Sequence, residues 1–282
     1  MDGLSCLFAP TYAPKTYSFS LLDESTLSVT VKTSSSASTD FDRTGEVIWP
    51  VSVLLAQFLV NYAPVAYSDR LRALELGSGM GLPSCALLKR NATISCLTTD
   101  GCPDYDEPLG DNLSPFNPRG SRRQLLWGDR NDIRNCKKGG DFDFVFAADV
   151  VQWPAVVQPL ALTVHALLYR SRKSAAETDR PPPTFYVGIV ERDDGSLKRS
   201  LFRQLRELGF SAEREIDYSE YLPENEEGAG HRFPEHGSEF GGRECKIYET
   251  KLTDYTIMPT LLETGKDLIY TEGYENTTTL PC

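Results

Sequence analysis

The most constraining feature of this chain is one stretch: a predicted strand over residues 71–76, then Gly77-Ser78-Gly79-Met80-Gly81, then a helix-forming segment to about Lys89. Further on, the apolar run over 142–147 reads as a strand covered on both faces. Strand, glycine loop and helix in that order open a parallel sheet, whose ligand lies beyond the carboxyl ends of the strands. Glycines let the backbone turn sharply and approach a ligand with no side chain between. The spacing is G-x-G-x-G, not the G-x-G-x-x-G that seats a pyrophosphate on a helix N-terminus.

The alternation continues along the chain. The pattern predicts strands over 93–99, 124–127, 142–147 and 184–190, helices over 154–169 and 196–208, and a final antiparallel pair over 210–216 and 245–252. Ahead of the glycine loop, Tyr17, Phe19 and Leu21, then Leu27, Val29 and Val31, alternate around an acidic turn at Asp23-Glu24, which predicts two strands. A serine-rich loop over 33–39 follows. Residues 51–62 predict an amphipathic helix with Val51, Leu54, Leu55, Phe58 and Leu59 on one face and Pro50 in its first turn. Pro103, Pro108 and Gly110 predict an irregular loop after the second strand of the alternating unit. Inserts over 170–183 and 222–243 interrupt the pattern. The expected organisation is an N-terminal β extension and loop over 1–44, an α/β domain over 45–252 with helices on both faces of a mostly parallel sheet, and a tail over 253–282.

Composition narrows the partners. Hydrophobic residues make up 40% of the 282, enough for a buried core. A net charge of −11 disfavours a nucleic-acid backbone as partner and is compatible with a basic protein, although solubility alone would account for it. The cysteines are odd in number and none is paired as C-x-x-C, so neither a metal site nor a disulfide framework is expected. Reduced thiols fit a cytosolic protein, or one that also enters the nucleus. No apolar stretch is long enough to span a bilayer, and Met1-Asp2-Gly3-Leu4-Ser5 does not start a signal peptide. A monomer is expected.

Two acidic residues flank the glycine loop. Glu75 precedes it, and a carboxylate there suits a ligand carrying a sulfonium and an amino group better than one carrying phosphates. Asp100 closes the next strand, where a carboxylate accepts both ribose hydroxyls of an adenosine; its competing role is a turn before Gly101.

From here the chain resembles the eukaryotic seven-strand protein-lysine methyltransferases grouped as methyltransferase family 16. The matching pieces are Gly45-Glu46-Val47-Ile48-Trp49-Pro50, Leu74-Glu75-Leu76-Gly77-Ser78-Gly79-Met80-Gly81-Leu82 and Thr99-Asp100, then Asn112 and Asn117, and Leu126-Trp127-Gly128. They continue through Phe142-Asp143-Phe144, Ala147-Ala148-Asp149-Val150-Val151 and Ile247-Tyr248-Glu249, covering about residues 17–251. The resemblance implies a Rossmann-like class I sheet of seven strands, S-adenosyl-L-methionine as cofactor and a protein substrate methylated on lysine. It implies that Trp49 lines the pocket near the methionine part and that Gly77, Ser78 and Gly79 wrap the amino-acid portion. Asp100 would hold the ribose, Trp127 would cover the adenine and Ala148 would lie against the adenosine. Asp149 would stand at the acceptor mouth. Gln152 occupies a position where relatives carry an aromatic residue, which leaves arginine, histidine or a terminal amine open as acceptors, and a non-catalytic cofactor-binding module as a further alternative. Core roles for Trp49 and Trp127 are the plainer readings against which the pocket roles are set.

Overall fold

The computed structural model describes residues 11–34, 41–62, 71–170, 181–192, 194–225, 228, 230–235 and 237–259. Residues 35–40 of the expected serine-rich loop, most of the 170–183 insert and the tail beyond residue 259 lie outside these.

The N-terminal alternation forms a hairpin, β1 (Tyr12–Ser20) and β2 (Thr26–Ser34), antiparallel from Tyr12 opposite Ser34 to Ser20 opposite Thr26. Its turn is stabilised by the Asp23 carboxylate, which accepts the Ser25 N–H at 3.1 Å. Phe19, Val29 and Val31 are buried, and so are Thr33 and Ser34, which complete β2 rather than start a loop.

Helix α1 (Pro50–Tyr62) corrects the amphipathic expectation. Val51, Val53, Leu54, Leu55, Ala56, Gln57, Phe58, Leu59 and Val60 are all buried, so the helix is covered nearly all round. It packs on α2 (Leu82–Arg90), β7 (Thr184–Val190) and the hairpin. Gly188 in β7 permits this approach, because a Cβ there would stand 2.9 Å from Val51 Cγ2.

The remaining strands are β3 (Arg72–Leu76), β4 (Ser95–Asp100), β5 (Gly120–Gln124), β6 (Phe144–Ala148), β8 (Arg214–Glu215), β9 (Glu239–Phe240) and β10 (Arg243–Lys251). The sheet runs β5-β4-β3-β6-β7-β10-β8, parallel from β5 to β7 and antiparallel at β10, with β9 pairing β10 off this path. The order reverses at β3 and β6, so the ligand crevice of such a sheet opens between their carboxyl ends. One apolar layer, with α1, α2 and the hairpin, covers one face, and a second, with α5 (Pro154–Leu168) and α6 (Ser196–Glu207), covers the other. His165 is buried in the second layer, edge-on to Tyr169 and Phe210, a core position.

Several local expectations are corrected. The segment after Asp100 is not an irregular loop but a 3-10 turn over Pro103–Tyr105 leading into helix α3 (Asp106–Leu113). Both prolines fall in first turns, where a missing N–H costs nothing. The third strand of the parallel run is the polar Gly120–Gln124, an exposed sheet edge, not 124–127. Beyond it, Leu125 N–H still reaches Asp100 O at 2.9 Å before the chain turns at Gly128 (φ 86°) into helix α4 (Arg130–Lys137), which the sequence pattern did not predict. The strand expected over 210–216 contracts to β8, with Phe210 bridging Leu252 singly. Part of the 222–243 insert returns as a hairpin of β9 on β10, turned by Gly241 (φ 58°) and Gly242 (φ 74°), the conformation a two-residue hairpin turn needs.

Candidate active site

At the carboxyl end of β3, Gly77 (φ 59°) and Gly79 (φ 50°) turn the backbone into the left-handed region. Ser78 N–H donates to Thr99 O at 3.0 Å, which fastens the loop to β4. A Cβ on Gly77 would lie 2.8 Å from Val150 Cγ1 and 3.3 Å from Trp127 Cζ2, so the indole stands directly beside the loop. A Cβ on Gly79 would lie 3.0 Å from Gly45 Cα and closer still to the Gly45 carbonyl oxygen. The segment leading to α1 is thus laid against the loop, backbone to backbone.

Asp100 ends β4 at the same level. Its Oδ2 accepts the Gly79 N–H at 2.8 Å and its Oδ1 accepts the Cys102 N–H at 3.0 Å. Desolvation raises its pKa above the ordinary carboxylate value, against the pull of these amides. Leu126 is 48% exposed and its Cδ2 stands 3.4 Å from where a Cβ on Gly101 would be, which extends the apolar wall beyond Trp127. The Trp127 ring is half-buried on the edge of the second core layer. Trp49 donates from Nε1 to Thr44 O at 2.7 Å and meets Phe240 edge-on at 5.3 Å. Ala148 closes β6 opposite Gly188.

Glu75 is corrected. It is buried, and its Oε2 accepts from both the backbone N–H (3.1 Å) and the hydroxyl of Ser84 in α2. Thr98 donates to the Ser84 hydroxyl in turn at 2.9 Å. Burial pushes the Glu75 carboxyl up to about 8. Its side chain therefore braces α2 behind the loop, and burial favours its neutral form over a negative charge offered to the crevice.

At the end of β6, Asp149 adopts φ 53°, uncommon for a residue with a side chain, and is 6% exposed. Both its carboxylate oxygens accept from the Arg192 guanidinium at 2.6 Å. Gln152 Nε2 donates back to Asp149 O at 3.0 Å and lies 3.4 Å from Oδ2. The structure thus brings Gly77 to Trp127, Gly79 to Asp100, and Asp149 to Gln152.

Three contributors were not found from sequence, and a fourth, Asn112, was named only among the pieces of the resemblance, without a role. Arg192 follows β7 at the carboxyl edge, so the strand-end rule that picked Asp100 and Asp149 also covers it. Tyr105 braces the site's frame: its hydroxyl oxygen accepts the Gly45 N–H at 3.1 Å. Phe240 comes from the β9 hairpin, for which no local signal existed beyond Gly241-Gly242. Asn112 is a clamp: its Oδ1 accepts Lys32 N–H at 2.7 Å, and its Nδ2 donates to Lys32 O (3.0 Å) and Met80 O (2.9 Å). It ties the N-terminal hairpin to the glycine loop.

The residues brought together here are of the kinds that a nucleoside-containing cofactor needs: a tight glycine turn at Gly77, a carboxylate at Asp100 and a partly exposed indole for a base to lie on. Among the described residues no cluster of His, Cys, Asp and Glu is placed to hold a metal ion. The strand order is that of the class I methyltransferase sheet, a fold whose family members take their methyl group from S-adenosyl-L-methionine. The chain belongs to the lysine methyltransferase family, whose model matches residues 27–177, more than half of its length. It is 28% identical over 127 residues to a human sequence described as a methyltransferase-like protein 21E pseudogene, a match covering 42% of this chain and 45% of that sequence. The chain therefore spans less than half the length of this curated relative. Among solved structures it is similar to an O-methyltransferase family protein from Burkholderia thailandensis (TM-score 0.49, 10% identity, 71% of this chain and 55% of that one). It is also similar to a precorrin-6y C5,15-methyltransferase from Geobacter metallireducens (TM-score 0.44, 13% identity, 77% and 94%).

Proposed function

We propose that this enzyme methylates a nitrogen of a protein side chain, with lysine as the acceptor. In this reading Gly77, Ser78, Gly79, Asp100, Trp127 and Ala148 hold the cofactor, with Trp49 at the rim, and Asp149 and Gln152 stand at the acceptor mouth. The observation that carries it is the convergence of Gly79, Asp100 and Trp127 at the carboxyl ends of neighbouring strands, one strand away from Asp149. The family's description supports lysine, and a net charge of −11 suits a basic target. Among the described residues Cys85, Cys96, Cys136 and Cys245 are buried thiols, in keeping with a reducing cytosol or nucleus as the place of action.

When bound, S-adenosyl-L-methionine supplies a methyl group on a sulfonium centre. The chain's part is alignment and exclusion of water. A lysine target must first lose a proton, which costs about 4–5 kcal/mol at neutral pH from a reference pKa of about 10.4. A desolvated mouth lowers that cost because it disfavours the ammonium form. A second reading, transfer to arginine, histidine or a terminal amine, rests on Gln152, since no ring stands at that position to face a lysine cation.

The test is incubation of the full chain with a cell lysate and cofactor labelled in its methyl group, followed by mass spectrometry of labelled proteins. Label on lysine is the expected result, lost in Asp100→Ala. Label on another side chain replaces lysine as the acceptor. Label confined to small molecules or nucleic acid overturns the reading.

A further inference from the structure

The acceptor mouth contains an ion pair that a free substrate-binding anion would not have. β6 and β7 are neighbours in the sheet, and Asp149 and Arg192 leave their carboxyl ends side by side. The pairing is bidentate, with Nη1 to Oδ1 and Nη2 to Oδ2 both at 2.6 Å. Arg192 is the more exposed partner, 27% against 4% for the Asp149 side chain, so it stands on the solvent side of the pair. Gln152 Nε2 approaches Oδ2 at 3.4 Å. A carboxylate offers about four lone-pair positions, and these three donors engage most of them.

An incoming ammonium therefore meets a carboxylate already paired with a guanidinium rather than a free one. A point charge such as lysine's is a poor competitor for a two-pronged guanidinium–carboxylate contact. This matters for the chemistry, because only the neutral amine has the lone pair that forms the new nitrogen–carbon bond. A free carboxylate beside it would favour the charged, unreactive form.

We infer that Arg192 is a specificity-determining positioning residue: by holding Asp149 in a closed, neutral pair it makes the mouth receive the acceptor nitrogen uncharged rather than as a cation. The inference rests on the proposed place of Asp149 at the acceptor mouth and deepens it.

The experiment needs no knowledge of the substrate. Two probes are titrated by calorimetry into the full chain: S-adenosylhomocysteine, and a cofactor analogue bearing a primary amine where the methyl-carrying sulfonium stands. The ratio of their affinities reports whether the mouth attracts an ammonium, and it is internal to each protein, so a modest loss of stability cancels. Arg192→Met and Arg192→Gln are measured beside wild type, with the double variant Asp149→Asn/Arg192→Gln, which replaces one neutral pair by another. The expected result is a preference for the amine analogue that rises about tenfold or more in the single variants, where Asp149 is uncovered, and returns to the wild-type ratio in the double variant. An unchanged ratio in the single variants with a tenfold fall in the double variant would overturn the inference, because Asp149 would then already act on the ammonium with Arg192 in place. One ratio shared by all the proteins would instead remove Asp149 from the acceptor mouth, a failure of the underlying reading.

Discussion

Gly45 and Gly79 are packed backbone against backbone, so that each leaves no room for a side chain on the other. A Cβ on Gly45 would stand 3.1 Å from Gly79 Cα and inside the ring of Tyr105. Substitution of Gly79 therefore acts first on the fold of the loop. Gly79→Ala combines a positive φ with a clash against the Gly45 carbonyl, and Gly79→Arg adds bulk to the same side. The expected outcome is a lowered melting temperature together with lost cofactor binding. Calorimetry and thermal melts on the same sample check it; a variant that melts like wild type but has no cofactor affinity would mean that the position faces the ligand directly.

Trp127→Ala separates a base platform from a core residue. The ring is half-buried and borders the second apolar layer, so its loss should cost about 1–2 kcal/mol, less than the roughly 3–5 kcal/mol of a fully buried tryptophan. Cofactor affinity should fall by about tenfold or more, the loss of a stacking contact on a base. Denaturant unfolding beside cofactor titration distinguishes the two, and intact affinity with a large stability loss would return Trp127 to the core.

Glu75 makes stability depend on pH. Its folded pKa of about 8 lies above the ordinary 4.5, so its contribution is complete below pH 4.5 and is lost as pH rises toward 8, where the folded state must give up the proton or hold a buried charge. The slope is at most about 1.4 kcal/mol per pH unit for one proton. Glu75→Gln keeps an acceptor for Ser84 and removes the titration. The difference in unfolding free energy between variant and wild type should move in favour of the variant from pH 5 to pH 8, and cofactor affinity should not change. Loss of affinity in Glu75→Gln would put the carboxylate back at the ligand.

Asn112→Ala should detach the N-terminal hairpin from the glycine loop. Three buried hydrogen bonds are removed and two carbonyls and an N–H of Lys32 and Met80 are left without them, for a cost of about 2–4 kcal/mol. Hydrogen exchange should quicken at Lys32 and in the loop together. Faster exchange in β2 alone would show that the hairpin is not coupled to the site.

The parallel sheet was legible because 142–147 and 184–190 are nearly continuous apolar runs, because a glycine loop follows 71–76 directly, and because several strands end on a residue proposed for the site. Element ends were harder. The edge strand Gly120–Gln124 is polar precisely where it meets solvent, so its apolar continuation over 125–127 drew the expectation past the ladder. Helix α3 hid behind two prolines whose first-turn placement is set by the 3-10 turn before it. α1 read as amphipathic because Gln57 and Ala56 carry no apolar signal, yet both are buried, Gln57 by donating to Ser20 O at 2.6 Å. Within the site, Gly77, Asp100, Trp127 and Asp149 were visible as strand-end residues. Arg192 and Phe240 were not, since each acts through a partner far along the chain, and Asn112 was visible only as part of the resemblance, without its clamping role. The pairing of Glu75 with Ser84 shows the same limit: a carboxylate's position in a strand does not say which side of the sheet it serves.

Phe240 stands over Trp49 from a two-residue strand at the free end of β10, outside the seven-strand path. The groups proposed to grip the cofactor are rooted in the sheet itself, whereas this part of the rim comes from a short hairpin that pairs with β10 and touches α1. On the proposed reading, substitution at Glu239 or Phe240 should reshape what is admitted at the rim while Gly77, Asp100 and Trp127 stay where they are, so that choice of target and possession of the methyl donor could change one without the other.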